Sequence, residues 1–531
     1  MHTELSQKQI GHLQGLLDGE VETDPVLREA YAMDASPCYR YPMAVVFPRD
    51  AGACEALVRF ALAEGVSLTP RGAGTSLAGQ TVGRGLIVDL SRHMDAIMEI
   101  DPQRRRARVQ PGVIPAVLNA RLAPHGLMFA PDPSTRDRCC IGGMAGNNSW
   151  GLHAPRDGTT RDHVLAMEAL LSDGSVVRFE ALDTRQLAVR REQQDLEGRI
   201  YRGLSELIGS RLVSIRQHYP GFRGVPSNAG YALDTLARMR PWTPAGLALN
   251  LAPFLCGSEG TLALVTELEL RLTPIPPHRT LVCLPFASLE AALAKVAGIM
   301  QKQPAALELL DPHILEFARQ DPVQRSRCRW LPETTQALLL VEFSGDDEAS
   351  VMAQAEELEK DLSVSAGTLL RGEAIDAVWE LRRAGLQMIM DLPPERRAAT
   401  GIEDTAVTVA DLPAYVEAVH RVLARHGLEA VNYGPVSMGG MHIRPLLGRI
   451  DPGQTAPIEA LLDEVAAITA TFGGSLSAKH GDGLLRCRRV AATLGPELAV
   501  LMAGVKQLFD PRGIFNPEQS PGPQGQKPGK F

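Results

Sequence analysis

The stretch PRGAGTSLAGQTV, from Pro70 to Val82, limits the possible folds more than any other part of the chain. Glycines at 72, 74 and 79 let backbone amides approach a pyrophosphate unobstructed, and Thr75 and Ser76 add hydroxyl donors. A dinucleotide loop of the doubly wound type would run on into a helix. Here the continuation is GLIVDLS, which reads as a strand, and that excludes such a site. Alone, a loop of this kind is more often just a turn. It is not alone: PDPST (131–135), IGGMAGNNSWG (141–151) and GSEGTLAL (257–264) follow in the same β-rich half. Backbone-rich loops in that number imply a large, elongated ligand with phosphates in its middle, the shape of FAD.

At 531 residues the chain exceeds what one core serves, so two or three domains are expected. Residues 1–37 read as helical. An α/β unit follows, in which YPMAVVFPRD and VSLTPR are strands around the helix AGACEALVRFALAEG. Strands and turns then dominate, with one helix near Ile114 to Ala123 and a hairpin turning at Asp173–Gly174. The prolines of PIPPH place a domain boundary near residue 276, giving an FAD-binding domain over 38–276. Strand–helix units resume in RTLVCLPF, SLEAALAKVAGIMQK and ALLLVEFSG. They predict a second, α+β domain over 277–517 with helices on one face of a sheet. The Pro/Gly-rich 518–531 reads as a disordered tail.

A net charge of −8 argues against nucleic acid as a partner. The one basic run, RRRAR (104–108), reads as an exposed strand edge rather than a phosphate patch. Eight cysteines without a CxxC pair disfavour a zinc ribbon, a cluster site or a disulfide framework, and Cys139–Cys140 reads as two reduced thiols. The N-terminus lacks the apolar core of a signal peptide and no apolar run is long enough to span a bilayer. A cytoplasmic location is the expectation, with peripheral attachment to a membrane left open.

In order and spacing, PRGAGTSLAGQ, GGMAGNNSWG, GYALD, GSEGTLA, EDTAV, HGDG and FDPRGIFNP resemble the vanillyl-alcohol oxidase/p-cresol methylhydroxylase flavoproteins. The branch is that of D-lactate and D-2-hydroxyglutarate dehydrogenases and glycolate oxidase flavin subunits. The resemblance implies an α+β fold, with an FAD-binding domain of two subdomains and a substrate cap. It assigns the cofactor to Pro70, Arg71, Gly72, Ala73, Gly74, Thr75, Ser76, Gly79 and Gln80 in the first loop. Pro131, Asp132, Gly142, Gly143, Asn147, Asn148 and Gly151 belong to the next two, with Glu259, Gly260 and Asn516 further on. No histidine stands in the first glycine loop, so the FAD is expected to be non-covalent.

Oxidising a 2-hydroxy acid requires the α-hydrogen to face flavin N5, a base for the hydroxyl proton and an anchor for the carboxylate. The resemblance places Arg382, in AVWELRRAGL, as the anchor, a task that suits a guanidinium fork. The alternative is an exposed helix arginine beside Glu380 and Arg383. It also places His480, in KHGDG, as the base, a role that suits imidazole with its reference pKa of about 6.5. Relatives commonly carry two histidines and a glutamate resembling a divalent-metal site. Here Pro435 and Lys479 stand in two of those positions and only His442 remains, so no metal is expected. The expectation is that the Lys479 ammonium replaces the metal, beside His480 and His442. Erosion of the site is the alternative, since Trp150 also departs from the small residue usual at its position.

A small anionic substrate, a D-2-hydroxy acid like D-lactate, is expected to be oxidised to the 2-oxo acid. Electrons would pass to an iron–sulfur, quinone or cytochrome acceptor, because related chains continue into a cysteine-rich half. A homodimer is compatible with this reading. A non-catalytic FAD-binding subunit and an oxidase of another alcohol are the competing readings.

Overall fold

The computed structural model describes residues 4–362, 367–448, 456–519 and 521. Four short strands open the fold: β1 (Val21–Glu22), β2 (Ala44–Val46), β3 (Leu68–Arg71) and β4 (Leu86–Asp89). They form a sheet in the order β1-β2-β4-β3, with β4 parallel to both β2 and β3 and β1 antiparallel on the edge. No helix lies between β3 and β4, so the glycine loop crosses from one strand to its parallel neighbour as bare backbone. The helix Ala51–Glu64 covers the sheet. Its Asp50 side chain accepts from the Ala53 amide, and Gly65 ends it in the left-handed region (φ 65°). Cys54, Leu57, Val58 and Ala61 pack on Val46, Leu68, Leu86 and Val88. The N-terminal stretch is helical at Gln7–Leu16 and Pro25–Tyr31, and β1 adds an edge pairing between them that the sequence did not signal.

The second sheet is antiparallel throughout. It takes β5 (Ile97–Asp101), β6 (Arg106–Val109), β8 (Val164–Leu170), β9 (Val176–Phe179) and β10 (Leu264–Arg271) in the order β5-β6-β10-β8-β9. Between them β7 (Leu127–Met128) pairs separately with β11 (Thr273–Pro274). The expected hairpin is the β8–β9 pair. The arginine run does not lie on an edge, because β6 sits between β5 and β10. Its alternate residues face solvent, where Arg106 pairs with Glu269 (2.7 Å) and Arg108 with Glu267 (2.8 Å) across the strands. Ala107 and Val109 face the core.

A six-stranded antiparallel sheet forms the second half. It comprises β12 (His278–Phe286), β13 (Ala306–Leu310), β14 (Ala337–Gly345), β15 (Thr368–Leu370), β16 (Ala430–Gly434) and β17 (His442–Pro445), ordered β15-β12-β14-β13-β16-β17. The expectation of helices on one face is corrected here. Strands β12, β13 and β14 are apolar at nearly every position, which is the pattern of a sheet buried on both sides. Val282, Leu307, Leu339 and Val341 meet the helices Leu289–Met300, Leu412–Arg425 and Ala456–Thr471. On the other face Cys283, Leu310, Leu338 and Leu340 meet Ile314, Trp379 and Leu381, and Leu152 of the first half joins that layer.

The chain ends where it began. The helix Pro496–Phe509 packs Leu498, Leu501, Met502 and Val505 against the helix Leu196–His218. The next segment then bridges β3: Leu68 N donates to Ile514 O (2.7 Å) and Asn516 N to Leu68 O (2.8 Å). Lys506 secures the turn by donating to Thr261 O, Phe515 O and Asp510 Oδ2, each at 2.6 Å. Of the tail expected at 518–531, Glu518 and Gln519 dock on Arg40 and on Gly79 O. Residue 520 and residues 522–531 lie outside the described residues.

Candidate active site

A cavity of about 310 Å³ runs from Ala35 and Thr81 to Lys479 and His480, walled by the glycine loops. Pro70, Arg71, Gly72, Ala73, Gly74, Thr75, Ser76, Gln80, Gly142, Gly143, Asn147, Glu259 and Gly260 line it. Gly79, Pro131, Asp132, Asn148, Gly151 and Asn516 stand behind the wall. Their work is visible in their contacts. The Asn516 amide donates to Gln80 O and Glu259 O (3.0 Å each), and the Asn148 amide reaches Asn228 Oδ1 (2.8 Å). Asp132 is tied to His153 (Oδ2 to Nδ1, 2.8 Å) and its backbone leaves no room for a side chain at Gly151. Arg71 borders the cavity, but its Nη1 donates to the carbonyls of Tyr31, Met33 and Thr81, stapling the first loop down.

Gln80 is the knot of the site. Its Nε2 lies 2.8 Å from both Asn147 Oδ1 and Glu259 Oε1 and 2.9 Å from His480 O, so one amide gathers three loops. Glu259 also accepts from the amides of Asp482 (2.7 Å) and Gly483 (2.9 Å). Burial, with Asp482 close by, raises its pKa. The glycines of HGDG follow from this crowding: a Cβ on Gly481 would come within 2.3 Å of both Gln80 Nε2 and Glu259 Oε1. Strain collects at the same place. Asn148, Glu259 and Asn516 are three of the non-glycine residues with positive φ among those described (51°, 56° and 42°).

Every backbone polar group from Ala478 to His480 is engaged. Asp404 takes the amides of Lys479 (3.0 Å) and His480 (2.7 Å), and its own carbonyl takes that of Ala478 (2.8 Å). Trp150 Nε1 donates to Ala478 O (3.2 Å), Asn147 Nδ2 to Lys479 O (2.9 Å) and Gln80 to His480 O. The two side chains are thereby aimed by a fixed backbone. His480 Nδ1 lies 2.9 Å from Glu403 Oε1, a fully buried carboxylate that also receives Arg486 Nη2 at 2.9 Å. Burial favours the protonated acid, but Arg486 and His480 outweigh it and hold Glu403 well below the usual carboxylate range. With its Nδ1 proton given to Glu403, His480 presents Nε2 as an acceptor.

His442 stacks on His480, the rings 5.1 Å apart and 14° from parallel, and its Nδ1 donates to Glu403 O (2.9 Å). Burial, helped by the charges of Lys479 and Arg444, pushes its pKa well below the imidazole range, so it is neutral. Lys479 Nζ lies 4.7 Å from the centroid of the Trp150 ring. Two of the departures noted in the sequence, Trp150 and Lys479, are therefore one contact, a cation over an indole face. Burial lowers the Lys479 pKa, which Glu308 offsets in part. Arg382 is not a surface arginine. It is 4% exposed, its Nε donates to Glu308 Oε2 (2.5 Å), and its guanidinium lies 5.2 Å from the Tyr433 ring. Its partner is Glu308, not Glu380.

Sequence reasoning missed several members of this cluster. Glu308 sits on β13 in an apolar run, where one acid among leucines was the available signal. Glu403 and Asp404 lie in EDTAV, and Arg444 in MHIRP. Arg444 is 1% exposed, donates from Nε to Tyr433 Oη (3.0 Å) and leaves Nη1 without a hydrogen-bond partner. Among the described residues no group of three or more His, Cys, Asp or Glu is arranged to hold a metal ion. No described helix is long and apolar enough to cross a membrane.

Comparison with known proteins decides the family. Residues 42–180 match the FAD binding domain family and residues 275–519 match the FAD linked oxidases, C-terminal domain. The chain belongs to the FAD-linked oxidases. It is 34% identical over 528 residues to D-2-hydroxyglutarate dehydrogenase of Pseudomonas putida (strain KT2440), covering 96% of this chain and 51% of that protein. The chain thus spans about half the length of that relative. Glycolate oxidase subunit GlcD of Bacillus subtilis is 28% identical, with 92% of this chain and 91% of that one covered. Among solved structures, p-cresol methylhydroxylase with substrate bound superposes with a TM-score of 0.69 at 15% identity, over 98% of this chain and 99% of that one. It shares the fold.

FAD is the cofactor of this family, and the cavity fits it. Gly143 borders the cavity, and a Cβ built there meets nothing within 4 Å, so that wall is bare toward the space the cofactor fills. Backbone from three loops faces the same space, which is what a pyrophosphate requires.

Proposed function

We propose that the chain oxidises a small D-2-hydroxy acid to the 2-oxo acid, without a metal ion. The observation that carries this reading is the cation set around His480. Lys479 and Arg444 act on a neutral His442 stacked on a carboxylate-bound His480, Arg382 acts on Lys479, and Lys479 and His480 stand at the end of the FAD cavity. Bound FAD supplies the two-electron oxidant that takes up the α-hydrogen.

The residues divide the remaining work. His480 Nε2 accepts the hydroxyl proton, and Glu403, ionised across the working range, steadies the imidazolium that results. Glu308 occupies Arg382 through Nε, leaving the Nη1–Nη2 edge to grip a carboxylate with two hydrogen bonds. Burial raises the pKa of Glu308 and that of Asp404, and Arg382 and His480 respectively work against that rise. Lys479 has no hydrogen bond from Nζ to a described residue, only the Trp150 face beneath it. Its ammonium is therefore available to the substrate hydroxyl oxygen, where it favours the developing alkoxide as a Lewis acid would.

The test is anaerobic. EDTA-treated holoprotein is mixed with D- and L-2-hydroxy acids, and the visible flavin band is followed. Bleaching by a D-acid is expected, while Lys479→Met retains FAD and loses about 10²–10³ in the rate of bleaching. An EDTA-treated protein that recovers its rate only with zinc or manganese would overturn the metal-free reading. A band that no acid bleaches, but dithionite does, would overturn the oxidation itself.

A further inference from the structure

A second cavity, about 460 Å³, opens where the loop after Pro133 faces the helix Glu373–Met390, and Ser134 and Arg138 border both it and the FAD cavity. Arginines dominate its wall, and two of them are neutralised. Arg138 pairs with Asp137 (3.0 Å), and Arg327 pairs with Glu380. The other two, Arg136 and Arg383, have no side-chain hydrogen bond or ion pair with any described residue. Both border the same cleft. Burial and then the charge of Arg136 lower the pKa of Arg383, which lies partly buried in the cleft. Arg136 is exposed and Arg383 half-buried, and the charges of Asp132, Glu380 and Asp376 return part of the cost of holding them together, with no described residue hydrogen-bonded to either side chain.

We propose that this cleft is an oxyanion site, in which Arg136 and Arg383 clasp a carboxylate or phosphate group. Two guanidinium forks, one from each half of the molecule, supply more donors than a single such group needs and restore the charge balance. Arg383 follows Arg382 on one helix, about 100° further round, so one turn carries a buried arginine by His480 and a second in the cleft. The anion has two sources of the same chemistry. It is the outer carboxylate of a dicarboxylic 2-hydroxy acid, an assignment that rests on the proposed oxidation, or it is a free small anion.

The test begins with binding, which needs no turnover. Inorganic phosphate and succinate are titrated into holoprotein by calorimetry, with the wild type beside Arg136→Gln/Arg383→Gln and with FAD content and Tm as folding controls. Saturable binding that weakens at least tenfold in the double variant is expected. Equal binding by both proteins, or none by the wild type, overturns the site. Flavin reduction then separates the sources. If the outer carboxylate is the ligand, the half-saturating concentration of D-2-hydroxyglutarate rises about tenfold in the variant and that of D-lactate stays put. If a free anion is the ligand, both stay put and only the phosphate response is lost. A flavin that no acid reduces ends the oxidation reading and leaves the calorimetric result to judge the cleft.

Discussion

Gly143 illustrates what single residues do here. It lies in the helix Ile141–Asn147, yet a Cβ would touch nothing. Packing therefore does not require the glycine, and we propose that the cofactor does. Gly143→Leu should fold with unchanged circular dichroism and an apoprotein stability within about 0.5 kcal/mol of wild type, since a Cβ there meets nothing within 4 Å. The FAD recovered per chain should fall more than tenfold, and full flavin occupancy would refute the assignment. At this scale the sequence was informative where a residue type betrayed its purpose: glycines before a strand, or histidine followed by GDG. It was silent on Glu308 and Arg444, because strand position alone cannot say which acid meets which base across 74 residues of chain. It separated Trp150 from Lys479, and only the fold joined them.

At the scale of elements, the cap sheet and the loop after Gly151 are joined by His153. Its Nδ1 meets Asp132 Oδ2 (2.8 Å) and its Nε2 meets Glu342 Oε1 (3.1 Å) on β14, while Trp379 Nε1 also donates to Glu342 (2.6 Å). Burial works against the imidazolium, and the two carboxylates outweigh it, raising the pKa to about 10. Asp132 and Glu342 are lowered in turn. A histidine raised from about 6.5 adds stability that is fully present below that pH and is lost as pH climbs toward 10. Tm should therefore fall between pH 6.5 and 10, more steeply in wild type than in His153→Gln. Parallel curves would show that the contact does not hold the cap. The strands themselves were legible from alternation and from Asp-Gly and Pro punctuation. The second helical layer of the cap was not, since continuous apolar strands mark two-sided burial without naming what covers each side.

At the scale of the whole molecule, the cavity is closed by both ends of the chain. β3, the glycine loop and the segment 514–516 meet at Leu68, and the Asn516 amide holds Gln80 O and Glu259 O. Asn516→Ala strands two buried carbonyls and puts alanine at a positive φ, a cost of about 2–4 kcal/mol. FAD should dissociate faster and Tm drop, with the second half otherwise unperturbed by hydrogen exchange. Retention of wild-type FAD affinity would count against this role. The order of motifs gave the architecture in outline, including the return of FDPRGIFNP. The knot at Gln80 was invisible because its partners come from loops 67, 179 and 400 residues away.

That return has a consequence for synthesis. The loops that cradle the cofactor emerge from the ribosome early, but the amide that bridges the Gln80 and Glu259 carbonyls is made 436 residues after Gln80. Until Asn516 is released, the carbonyls of Gln80 and Glu259 lack their shared donor, and Leu68 lacks its neighbour. Stable capture of FAD thus waits for residue 516, and a nascent chain stalled before it should be colourless.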